Sequence, residues 1–261
     1  MSNFREVILG DQHFLIDEKV IDRIIRYAEL DGKETVLEIG AGTGNLTKNL
    51  AKNAANVIAI ESDHRLVEVL DDLSLTNVKV IHGDALQVEF PKFDKVVSNL
   101  PYSISSDITF KLLKHDFALG ILMYQHEFAK RMTATTGTEN YGRLSVVTQY
   151  LAEAQILEIV PKTALYPQAE VKSAIVRLVP RTQNLDRDFF LDFVAAMFTQ
   201  RRKQMKNAII NAAHMLNLGD ARKLIEMLPR DLMSKRPEKL YPEELAALSN
   251  LIYGIRHETP I

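Results

Sequence analysis

The run Val36-Leu37-Glu38-Ile39-Gly40-Ala41-Gly42-Thr43-Gly44-Asn45 constrains this chain more than any other feature. A short apolar stretch of strand length, 35–39, leads into three glycines at every second position. Helical spacing resumes at Leu46. Glycines between a strand and a helix let the backbone turn sharply and approach a ligand closely. The surrounding sequence repeats the alternation. Val20, Ile21, Ile24, Ile25 and Ala28 recur at helical spacing, and strand-like runs follow at 56–60, 78–81, 96–98, 119–124, 156–160 and 174–178. Strands separated by helices predict an α/β fold, a mostly parallel sheet covered on both faces.

The glycine spacing selects among ligands. A dinucleotide fingerprint needs G-x-G-x-x-G, which counted from Gly40 puts a glycine at position 45, where Asn45 stands. The pattern E-x-G-x-G-x-G instead suits a ligand without a pyrophosphate, such as S-adenosylmethionine. Two acids follow in order. Glu61 ends the next strand 21 residues beyond Gly40, where a carboxylate can accept from ribose hydroxyls. Asp84, after the third strand, can accept from an adenine amino group. Gly40, Ala41, Gly42, Gly44, Glu61 and Asp84 are therefore the candidate cofactor residues, with Asn99 beside them. The fold expected for 1–180 is a Rossmann-like, S-adenosylmethionine-dependent methyltransferase domain.

The fourth strand ends in Asn99-Leu100-Pro101-Tyr102. An amino group conjugated to a purine is a poor nucleophile, because its lone pair is delocalised. The Asn99 amide oxygen and the Leu100 carbonyl can accept its two hydrogens and favour a pyramidal nitrogen. Tyr102 can stack on the purine. No strong general base is needed, but the target base must leave its stack. These four residues are the candidate catalytic group.

Other classes are excluded by composition. The chain of 261 residues has no cysteine, which rules out disulfides and thiolate metal sites. No His pair at ligand spacing suggests a metal. No apolar run of transmembrane length occurs, and MSNFREVILG does not read as a signal peptide, so a cytoplasmic protein without membrane association, expected to be a monomer, is the reading. After residue 180 only helical periodicity continues, which predicts a small all-α domain over 181–261. Net charge is −2 overall, yet 181–261 carries +3 and the preceding 180 residues −5. Phosphate binding needs a local basic surface. Arg201, Arg202, Lys203 and Lys206 are the expected RNA-binding cluster, with 202 and 206 on one face if the segment is helical. Tyr102 and Tyr141 are the aromatics expected near a substrate; Tyr150, Tyr241 and Tyr253 are expected to be packing residues.

Taken together, Q-H-F-L at 12–15, E-I-G-A-G-T-G-N-L-T at 38–47, E-S-D at 61–63, G-D-A at 83–85, N-L-P-Y at 99–102, Y-G-R-L-S at 141–145, Y-P-Q-A-E-V-K-S-A at 166–174 and F-T-Q-R-R-K at 198–203 resemble one family. This is the KsgA-type ribosomal-RNA adenine N6,N6-dimethyltransferases, archaeal members included. The resemblance implies that the Q-H-F-L segment folds over the cofactor, with Gln12, His13 and Leu15 in contact. It also implies the substrate: two adjacent adenosines in the terminal hairpin of small-subunit rRNA, each dimethylated during late assembly of the subunit. Three positions depart from the family pattern. Asp11 replaces a glycine, the N-terminal arm carries only Arg5 as a base, and Leu165 replaces an aromatic that packs on the target adenine. Two other functions share these motifs. One is dimethylation of large-subunit rRNA, as in antibiotic resistance; the other is an assembly factor that binds cofactor without methyl transfer. F-T-Q-R-R-K and R-P-E-K-L-Y-P-E-E-L at 236–245 favour the small-subunit reading.

Overall fold

The computed structural model of the chain describes residues 12–258. Asp11 and Arg5 lie outside the described residues. The described residues form nine strands: β1 (Phe14–Leu15), β2 (Thr35–Ile39), β3 (Asn56–Glu61), β4 (Val78–His82), β5 (Lys95–Asn99), β6 (Leu119–Gln125), β7 (Ala152–Val160), β8 (Leu165–Tyr166) and β9 (Ser173–Pro180). Seven of them form one sheet in the order β4-β3-β2-β5-β6-β9-β7, and β1 with β8 makes a separate antiparallel pair. From β4 to β6 all neighbours are parallel; β9 runs antiparallel to β6. The chain winds outward from β2 to β3 and β4, then crosses back to β5. The strand order therefore reverses between β2 and β5, and in open α/β sheets ligands bind at the carboxyl ends of the strands at such a reversal.

Residue chemistry explains these elements. β2 and β6 are buried almost throughout, as strands covered on both faces must be. The helix Glu18–Ala28 starts where the Asp17 carboxylate accepts from the Lys19 and Val20 backbone N–H groups, a cap worth about 1 kcal/mol. Its residues Val20, Ile21, Ile24 and Ala28 are buried, and Ile25 is half-buried. With Leu46 and Leu50 of the helix Asn45–Asn53 they cover one face of the sheet, over Val36, Val57, Val97 and Ile121. Ala41, Ala59 and Leu70 form a smaller cluster.

The chain divides into two compact units, and the division differs from a single break at residue 180. The first unit runs to Ala129 and resumes over Ala154–Pro180; the second comprises Lys130–Glu153 and the chain from Arg181 onward. The cause is burial. The helix Arg143–Leu151 contacts the helices Arg187–Thr199 and Pro242–Glu258. Just before it, the Tyr141 hydroxyl donates to the Leu240 carbonyl at 2.8 Å. In the second unit, Phe190, Phe193, Val194 and Met197 are buried, as are Leu245, Leu248 and Ile252. From residue 187 to 258 every regular element is helical. Among the described residues no helix is long and apolar enough to cross a membrane.

Candidate active site

The glycine loop leaves β2 through three left-handed residues, Gly40 at φ +70°, Gly42 at +59° and Gly44 at +78°. Each is also held close to its own chain. A Cβ on Gly40 would lie 2.9 Å from the Pro101 ring, and one on Gly42 2.9 Å from Phe14. The loop after β2 thus touches the turn after β5, at the reversal of strand order. Gly44 differs from the expectation. It precedes the helix Asn45–Asn53, and a Cβ there would meet Leu73 at 2.6 Å. It does not line the cavity that the other two border; helix packing fixes it.

That cavity, about 560 Å³, lies entirely within the first unit. Gln12, His13 and Leu15 line it, as do Gly40, Ala41, Gly42, Glu61, Asp84 and the whole of Asn99–Tyr102. Three carboxylates border it. The buried Glu61 side chain accepts from the Gly42 N–H at 2.8 Å through one oxygen, and from the Ser62 and Asp63 N–H groups at 2.9 and 3.0 Å through the other. Those bonds take three of the roughly four acceptor positions of a carboxylate and leave about one. Asp84 is exposed at the rim, with Oδ1 accepting from the Leu86 N–H at 2.8 Å.

Glu38, which the spacing argument used only as the start of the motif, is the third. It is 2% exposed, and its Oε2 has no hydrogen-bond partner. Burial pushes its carboxyl up to about 8, the Thr47 hydroxyl beside it pulls the other way, and the Glu61 charge adds to the rise. A carboxylate inside an otherwise apolar strand was the visible signal for this residue.

Asn99 is oriented by its neighbours. Its Nδ2 donates to the His13 carbonyl at 3.1 Å, which fixes the amide and assigns Oδ1 as the remaining acceptor. The Leu100 side chain is buried, and its N–H donates to the Met123 carbonyl at 3.3 Å. The Tyr102 hydroxyl and Ser173 Oγ lie 2.5 Å apart. Its ring stands 6.1 Å from that of His13, tilted by 41°. Burial raises the Tyr102 phenol above its ordinary value, against the Ser173 hydrogen bond. His13 is itself anchored, Nδ1 donating to the Pro167 carbonyl at 2.8 Å. Phe14 is the aromatic that sequence reasoning missed here; only the Q-H-F-L pattern pointed to it. Leu165 is buried beside its strand partner Leu15 and does not line the cavity, while Tyr166 is exposed.

The basic cluster is not helical. The helix ends at Thr199 and the next begins at Met205, so Arg201, Arg202 and Lys203 sit in the turn between them and only Lys206 is on a helix. The shared face expected for 202 and 206 does not exist. Arg201 pairs with Glu238, Nε to Oε2 at 3.0 Å, whereas Arg202, Lys203 and Lys206 are exposed. Tyr141 is fully buried and is a packing residue, contrary to its expected place near a substrate. Tyr241, expected to pack, is 60% exposed.

Comparison with known proteins places this geometry. The sequence profile of "Ribosomal RNA adenine dimethylase" matches residues 8–247. The chain belongs to this family. Among relatives of this dimethylase, the "Probable ribosomal RNA small subunit methyltransferase A" of Methanosarcina mazei is 54% identical over 251 residues, covering 94% of this chain and 93% of that protein. Among solved structures, a dimethyladenosine transferase from Plasmodium falciparum superposes with TM-score 0.77 at 30% identity, over 94% of this chain and 98% of that one. The 23S rRNA methyltransferase ErmE gives 0.63 at 28%, over 92% and 99%.

Dimethylases of this family are S-adenosylmethionine-dependent, and the cavity fits that cofactor. Its volume is within the range of small-molecule sites. Among the described residues, three carboxyl groups and neither lysine nor arginine border it, which suits a ligand carrying positive charge. Glu38, which lines it, carries an unpartnered buried oxygen.

Proposed function

We propose that this dimethylase acts on small-subunit rRNA, transferring methyl groups to N6 of two adjacent adenosines of the 3′-terminal hairpin during subunit assembly. S-adenosylmethionine supplies an electrophilic methyl group on a sulfonium. The chain's own residues prepare the amine. Asn99 Oδ1 and the Leu100 carbonyl accept its two hydrogens, which withdraws the lone pair from the ring and aims it. The observation that carries this reading is the hydrogen bond from Asn99 Nδ2 to the His13 carbonyl, since it fixes which end of the amide faces His13 and leaves Oδ1 to accept from the target amine. The Tyr102 ring, held by its hydroxyl against Ser173, supports the extruded base by stacking, worth about 1–3 kcal/mol. Orientation of nitrogen and methyl supplies much of the remaining acceleration.

Gln12, His13 and Leu15 close one side of the cofactor cavity, and Gly40, Ala41, Gly42, Glu61 and Asp84 another. Gly44 serves the same loop indirectly, through its packing on Leu73. Arg202, Lys203 and Lys206 contact RNA phosphates, and Arg201 keeps the turn in place through Glu238. The small-subunit reading is favoured by the name carried by the Methanosarcina mazei relative at 54% identity, against 28% for ErmE. The test is incubation with labelled cofactor and unmodified small subunits, followed by digestion and identification of the nucleoside. N6,N6-dimethyladenosine in small-subunit RNA is expected. Label only in large-subunit RNA, or cofactor binding without transfer, would overturn the assignment.

A further inference from the structure

We infer that Glu38 borders the cofactor cavity as a neutral acid and gives up its proton when the cofactor binds. Its position argues this first. Glu38 is the one carboxyl of the three that is buried with an unpartnered oxygen, Oε2: Glu61 holds three backbone N–H groups, and Asp84 is exposed with a backbone bond of its own. An ionised carboxylate with an unpartnered oxygen is costly inside a protein, so the acid stays protonated. The groups facing it give no cation to offset that cost. Glu61 on β3 is an acid, Thr47 on the helix Asn45–Asn53 is uncharged, and the other titratable groups that line the cavity are His13, Asp84 and the Tyr102 phenol. Burial drives the carboxyl up to about 8, consistent with this placement.

S-adenosylmethionine brings a sulfonium and an ammonium into a space bordered by acids. Positive charge favours the ionised form of a neighbouring carboxyl. The Glu38 O–H bond breaks, its electron pair stays on the oxygen, and the proton passes to the solvent buffer. Capture of the cofactor is then coupled to pH. Below about 8 the free protein holds the proton and must release it, so affinity rises with pH, by at most about tenfold per unit. Above that value the proton is already gone and affinity levels off. This rests on the cavity being the cofactor site.

Calorimetry on the full chain tests it. S-adenosylmethionine is titrated without RNA at pH 7 and pH 9, each in two buffers of different ionisation enthalpy. Wild type should release roughly half to one proton at pH 7, and about a tenth at pH 9. Glu38→Gln, isosteric and neutral, should abolish the release. Absence of buffer-dependent heat in the wild type at pH 7 overturns the inference. So does undiminished release from Glu38→Gln, which would assign the proton to His13 or to the ligand. Glu61→Ala separates the two levels. If it weakens binding while wild type releases no proton, only the Glu38 inference fails. If it leaves affinity unchanged, the cavity assignment fails and this inference with it.

Discussion

Replacing Asn99 by alanine removes two interactions of different kinds, and their sizes separate binding from chemistry. The first is the bond from Nδ2 to the His13 carbonyl at 3.1 Å. A net intramolecular hydrogen bond is worth about 0.5–1.5 kcal/mol, so loss of this tether should weaken cofactor binding by about tenfold at most. The second is the Oδ1 acceptor assigned to the target amine. Losing one preorganised polar contact in a transition state costs about 2.7–4 kcal/mol, or roughly 10²–10³ in rate. Asn99→Ala should therefore reduce single-turnover methylation of small subunits far more than it reduces affinity for S-adenosylhomocysteine. Asn99→Asp sharpens the comparison. It keeps an acceptor but sets a carboxylate oxygen against the His13 carbonyl where an N–H now donates. It should bind cofactor less well than Asn99→Ala while keeping more turnover per bound cofactor. Full turnover in Asn99→Ala, or equal losses in binding and rate, would refute the reasoning and favour a cofactor-binding assembly factor.

Glu61→Ala should weaken S-adenosylhomocysteine binding in calorimetry, through loss of one ribose contact and of the carboxylate that holds the Gly42 N–H; unchanged affinity would remove Glu61 from the site. Stability without cofactor should fall as pH rises from 4.5 towards 8, because the unfolded Glu38 ionises across that window while the folded one stays protonated. The slope from this group is at most about 1.4 kcal/mol per pH unit, and denaturant melts of Glu38→Gln should lack it. Reversing charge at Arg202, Lys203 and Lys206, with Arg201 left to its Glu238 pair, should weaken RNA binding more than cofactor binding. The log–log salt slope should become shallower by about two; an unchanged slope would place these bases outside the RNA interface. Gly44→Ala should destabilise the fold by about 1–3 kcal/mol, from φ +78° and the displaced Leu73, with a smaller effect on cofactor affinity per folded molecule.

What the sequence discloses follows from what each signal depends on. The alternation of strands and helices, and the order of Glu61, Asp84 and Asn99 along successive strand ends, are properties of spacing, and spacing is written in the chain. Burial and pairing are not. The helical periodicity after residue 180 does not show the turn at 201–203, where the chain must turn before Met205 and Ala208 enter the core. Tyr141 resembled a substrate aromatic because nothing in its neighbours shows that its hydroxyl ends on the Leu240 carbonyl, 99 residues away. Nor does composition show that residues 130–153 group with helices beyond 181. The glycine motif makes the point within five residues. Gly40 and Gly42 border the cavity, whereas Gly44 shares their spacing and their left-handed backbone for a different reason, the contact with Leu73. Even in a ligand-binding motif, one glycine answers to the packing of its own chain, and so its substitution should be read first in stability and only then in binding.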